Sequence, residues 1–107
     1  MRRAVTILAL VVVCAACASD PMTRAYQYGK AIQGVNEQTV LALDYGIIKA
    51  DEGEAVQAIT RTATSDLKRA VTDIKAGQPR SVTDRILDAV LAGLKNAQTI
   101  LSRKGVQ

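Results

Sequence analysis

The chain has 107 residues, 49% hydrophobic and 22% charged, with 14 Lys and Arg against 10 Asp and Glu for a formal charge of +4. That length holds one small core and not two. It contains no His, Trp or Phe, two Cys and three Tyr, which excludes His-based acid–base relays, His-ligated metal or haem, and aromatic platforms for stacking bases.

Met1-Arg2-Arg3 places two positive charges before an apolar run from Ala4 to Ala18, relieved only by Thr6. A charged start, a short apolar stretch and small residues at its end describe an export signal. The run falls short of the ~20 apolar residues that cross a bilayer, and Asp20-Pro21 follows at once. Cys14-Ala15-Ala16-Cys17 closes the run and resembles the lipobox of bacterial lipoproteins. Ala15 and Ala16 fit that pattern, while Cys14 stands where Leu is usual. The resemblance implies cleavage after Ala16 and a covalent lipid, palmitate-type acyl chains included, on Cys17. Ala18, where Asp would signal inner-membrane retention in enteric bacteria, implies the outer membrane in a Gram-negative host. An ordinary secretory signal with an incidental cysteine and an uncleaved anchor helix are the alternatives.

Processing of this kind removes Arg2 and Arg3 and leaves 12 basic residues against 10 acidic. The basicity then belongs mostly to the targeting segment and is no nucleic-acid footprint. With Cys14 removed and Cys17 acylated, no thiol is left for a disulfide, a metal or a nucleophile. Residues 17–21 read as an acylated tether, and 22–104 as the folded part.

The spacing predicts three helices, over about 22–45, 52–76 and 82–103. In the first, Tyr28, Ile32, Val35, Thr39, Ala42 and Leu43 recur at steps of three and four, and Gly46 suits a left-handed stop. Ile47 and Ile48 are expected to fold back over the helix ends. Asp51-Glu52-Gly53-Glu54 reads as a capping box, with Asp51 as cap and Glu54 returning the bond. The second stripe is Val56, Thr60, Ala63, Leu67, Ala70 and Ile74, ended by Gly77 and Pro79. Ser81 is a candidate cap for the third helix, whose stripe is Ile86, Leu87, Val90, Leu91, Leu94, Ala97 and Leu101. Gly105 is its expected stop. Short connections make neighbouring helices antiparallel. The expectation is an all-α, up-down-up three-helix bundle with an Ala-rich core worth only ~3–5 kcal/mol, so that association or burial against a membrane or partner would help.

Little points to chemistry. Ser65-Asp66-Leu67-Lys68 matches the S-x-x-K tetrad of penicillin-recognising enzymes, in which the amine takes the hydroxyl proton. The K-T-G motif and the sheet edge are missing, so Ser65 and Lys68 read as solvated helix positions and the chain as no enzyme. Asp84 and Asp88 form an exposed pair with Arg85 beside them, Asp51, Glu52 and Glu54 are explained by capping, and neither group offers a full metal shell. No cofactor or small-molecule substrate is expected. Arg61, Lys68 and Lys75, seven apart, form a basic rail beside an acidic one of Asp66 and Asp73, with Arg69 placed to pair with Asp73. They are candidates for lipid headgroups, against the ordinary role of charged flanks that align neighbouring helices. Leu41, Tyr45 and Ile48 are an apolar surplus, either wrapped by the third helix or exposed as a contact for a partner or for self-association. Tyr26 and Tyr28 suit the headgroup level.

Lipobox, a helix ending near Leu43-Asp44-Tyr45-Gly46-Ile47-Ile48, a capped Ala-rich helix closing on Ala76-Gly77 and an apolar third helix together look like a loose group of small helical lipoproteins common in tailed-phage and prophage genomes. The resemblance implies no biochemical activity beyond exclusion at a surface receptor or a part in lysis. The expected function is that of a lipid-anchored envelope protein working by contact with an envelope protein or with itself. The alternative is a membrane-active helical module whose third helix lies in the bilayer interface.

Overall fold

The computed structural model describes residues 20–104; residues 1–16 and 17–19, on which the expected signal segment, Cys17 and most of the expected tether fall, and Gly105 lie outside the described residues. Three helices follow one another: α1, Pro21–Asp44; α2, Ala50–Lys75; α3, Arg80–Arg103. All three pairs pack together, in an up-down-up bundle 45 × 23 × 16 Å with no strand among the described residues.

α1 starts earlier than its apolar pattern suggests. The N–H and hydroxyl of Thr23 both donate to Asp20 Oδ2, at 3.0 and 2.6 Å, and Pro21 fills the first turn, where its missing N–H costs nothing. Asp20-Pro21 thus belongs to the fold and not to the tether. Both turns end helices in the expected way. Gly46 (φ 68°) and Gly77 (φ 76°) take the left-handed conformation, and the Ile47 and Gln78 amides donate back to the Ala42 and Asp73 carbonyls at 2.8 and 3.0 Å.

The cap register differs from the sequence expectation at α2 and α3. α2 begins at Ala50 with Lys49 as cap, and the Lys49 N–H donates to Glu52 Oε1 at 2.9 Å. Glu52, not Glu54, returns the bond, and Asp51 lies inside the first turn. Because a Lys side chain has no acceptor, only half of a capping box exists. α3 begins at Arg80 behind Pro79 and has no side-chain cap, so Ser81 sits within the helix. Pro79, with φ −57° and ψ 146°, leads into the helix, and its carbonyl accepts the Val82 and Thr83 amides at 3.0 and 3.3 Å.

The stripes converge as expected. Tyr28, Val35, Val56, Leu87, Val90, Leu94 and Leu101 are the large, fully buried apolar side chains, and Ala25, Ala31, Ala42, Ala63, Ala70 and Ala97 fill the space between helices. Leu67 and Leu91 pack on the edge of this core. The buried threonines answer their own hydroxyls: Thr39 Oγ1 donates to the Val35 carbonyl at 2.7 Å and Thr60 Oγ1 to that of Gln57 at 3.0 Å. At the first turn the helices nearly touch. A methyl group added to Gly53 would stand 2.8 Å from Leu43 Cδ2, so the glycine sets how closely α1 and α2 approach.

Candidate functional site

Two poles organise the surface. At the proximal pole the chain arrives at Asp20 and the α2–α3 turn lies beside it; at the distal pole lie the α1–α2 turn and the end of α3.

The proximal pole is held by a residue the sequence reading passed over. Arg24 is only 8% exposed. Its Nη2 donates to Tyr28 Oη at 3.1 Å and to Asp88 Oδ1 at 2.9 Å, and Nη1 to Asp84 Oδ1 at 3.4 Å. Burial works against the guanidinium charge, but the bonds to Tyr28 and Asp88 outweigh it and hold the pKa above the ordinary arginine value. Asp84 and Asp88, half-buried and exposed respectively, are therefore counter-ions of Arg24 on α1. Asp84 also lies 3.7 Å from Arg80 Nε. Arg24 was visible as the residue one turn before Tyr28 on the apolar stripe. Tyr28 is fully buried and is lost as a headgroup ring. Tyr26 is 61% exposed, with the Lys30 ammonium 4.8 Å from its ring centre.

The distal pole carries the apolar surplus, with a change of membership. Leu41 (40%) and Tyr45 (73%) are exposed, whereas Ile48 is buried at 4%. Ile48 follows the helix, so a helical count does not apply to it, and the turn folds it inward. Val40, 51% exposed, takes its place and lines a shallow cleft with Asn36, Glu37 and Leu41. This pole also has its own clasp: Lys104 Nζ meets Glu52 Oε2 at 3.0 Å. The bonds from Lys49 and then Lys104 hold the Glu52 carboxyl below its usual range.

The basic rail lies between the poles. Arg61, Lys68 and Lys75 are all exposed, and among the described residues none of them meets a carboxylate. The interhelical pairing that such a rail ordinarily serves is thus missing. Arg69 pairs with Asp66 at 3.5 Å and not with Asp73. Ser65 is exposed like Lys68. Among the described residues no group of three or more acidic, Cys or His side chains is placed to hold a metal ion, and no helix is long and apolar enough to cross a membrane.

Comparison with protein-family models, curated proteins and solved structures gave no match to this chain.

Proposed function

We propose that the chain is a lipid-anchored envelope protein, attached through Cys17, that acts by protein–protein contact and not by catalysis. The observation that supports this is the patch of Val40, Leu41 and Tyr45. Three of the five large apolar side chains exposed among the described residues gather at this one end of the bundle, while Tyr26 and Val82 stand apart toward the other. Leu41 stands ~30 Å along α1 from Asp20, at 1.5 Å per residue. An anchor at Cys17 would hold the bundle at a membrane by its proximal pole and leave this patch accessible. Confinement to the surface raises the effective concentration of a weak contact. In a Gram-negative host the outer membrane is the compartment that the lipobox resemblance, with Ala18 after the cysteine, favours. The bilayer-perturbing alternative would require Leu87, Val90, Leu94 and Leu101 to leave the core for the lipid, at the expense of the fold itself.

The test uses the full chain in an expressing bacterium. Intact mass from the envelope fraction is expected to correspond to Cys17 as first residue plus diacylglyceryl and fatty acyl groups; a product retaining Met1 refutes the anchor. A photo-crosslinking side chain at Leu41 is expected to give a discrete adduct that the same probe at Thr62 does not. Equal labelling from both positions, or none from either, sinks the contact.

A further inference from the structure

The three unpaired cations of the rail share a face with α1. Two contacts fix which flank of α2 this is: a methyl on Gly29 would meet Leu67 Cδ2 at 3.5 Å, and one on Gly53 would meet Leu43. Leu67 and Gly53 therefore mark the α1 side of α2. A step of seven residues returns almost to the same helical angle, so Arg61, Lys68 and Lys75 run in one line along that flank. Arg61 lines a cleft with Asn36 of α1. Asp66 and Asp73 of α2 lie on the opposite flank, where Asp66 shares a cleft with Ala89 and Gly93 of α3. Tyr26 is exposed on the outer side of α1, in the proximal half.

Charge is thus sorted both across the bundle and along it. The α1/α2 face carries Arg61, Lys68 and Lys75 over its proximal two-thirds, and its acids, Glu37, Asp44 and Glu54, lie toward the distal pole. The geometry points to this face as a docking surface for an anionic lipid bilayer, on which the bundle rests side-on. Arg61, Lys68 and Lys75 meet the headgroups, and the Tyr26 ring lies at the interface with its polar tip outward. Charge complementarity decides the occupant: three cations free of internal partners face a surface whose negative potential attracts each of them about 5-fold, and all three on the order of 100-fold. Glu37, Asp44 and Glu54 are repelled by the same potential, so the distal pole with Leu41 and Tyr45 lifts away from the lipid. The inference builds on the membrane-anchored function above, because so few charges hold a bundle in place only when something else keeps it near the bilayer.

The chain's own lysines report the contact. The full chain is reconstituted into vesicles of phosphatidylcholine, alone or mixed with phosphatidylglycerol, and labelled with an amine-acylating reagent read by peptide mass spectrometry. Lys68 and Lys75 are expected to react about 5-fold more slowly on the anionic vesicles than on the neutral ones, with protection fading at high salt. Lys95, exposed on α3, reacts equally on both. Arg61→Glu lowers the protection of Lys68 and Lys75 with unchanged helicity. Equal rates for all three lysines on both vesicles overturn the proposal. So does protection of Lys68 and Lys75 by an added oligonucleotide on neutral vesicles, which would reassign the face to nucleic acid. The vesicles hold no other protein and retain the chain whether Cys17 is acylated or the apolar segment stays uncleaved. Failure of the Leu41 contact or of the Cys17 anchor therefore leaves this readout intact.

Discussion

Arg24 can be removed from its acids, or its acids from it, and the two operations are not equivalent. Arg24→Met combined with Tyr28→Phe keeps an unbranched chain in the slot, strands no buried hydroxyl, and leaves Asp84 and Asp88 facing water, where their side chains are already 34% and 70% exposed. Asp84→Asn with Asp88→Asn leaves a buried guanidinium without a counter-ion. Breaking a buried pair costs more when the charge left behind is the enclosed one. We predict a loss of within about 1 kcal/mol for the Met and Phe double variant and ~2–3 kcal/mol for the double amide, measured by urea unfolding; equal losses would refute this asymmetry. Arg24 escaped the sequence reading because charged residues are set aside when an apolar stripe is traced, although Arg24, Tyr28 and Ile32 keep its period. Val40 escaped because its neighbour Leu41 was assigned the same surface. Ile48 folds back over the helix end as its sequence position suggests, and only the extension of the helical period beyond the helix groups it with Leu41 and Tyr45.

At the scale of the element, the number, order and buried faces of the helices were legible, since period and glycine stops act locally and agree with the packing. The starts of α2 and α3 were not. Asp51 and Ser81 are good caps, but a cap is worth only ~1 kcal/mol, and the turn that buries Ile48 sets where α2 begins. The resulting caps carry a pH dependence. Hydrogen bonds from the Thr23 side chain and amide lower the Asp20 pKa, and those from Lys49 and Lys104 lower that of Glu52. Depressed carboxylates contribute stability that is whole above their ordinary range, ~4, and is lost as pH falls through the lowered folded values. Asp20→Asn with Glu52→Gln keeps the acceptors and removes the titration. The fall of the thermal midpoint with acidification below pH ~4 is expected to be shallower in this variant, and an unchanged slope would show that other acids carry it.

The whole molecule is short of apolar volume. Alanines fill much of its interior, so the few large side chains hold a disproportionate share of the stability. Leu94 is fully buried, and cutting it to Ala removes ~2–5 kcal/mol from a bundle with only ~3–5 kcal/mol to lose. Leu94→Ala is predicted to lose about half or more of the stability and to melt far below the parent by far-ultraviolet circular dichroism; a cooperative transition near the parent midpoint would mean that the core is larger than its composition suggests. The two poles also differ in how they are closed. Arg24 ties α1 to α3 at one, and Glu52 ties α2 to α3 at the other.

Asp20, where the chain reaches the bundle, and Leu41, at the exposed patch, belong to the same helix. A pull between them runs along the axis of α1, where the three to four backbone hydrogen bonds of each turn share the load. No helix–helix seam lies in that path, so tension does not peel the bundle apart. Traction applied instead through the end of α3 would cross the thin Ala-filled core before reaching α1. The fold thus has one stiff line through an otherwise weak body, and a handle placed at position 41 should withstand more force than one placed at 104.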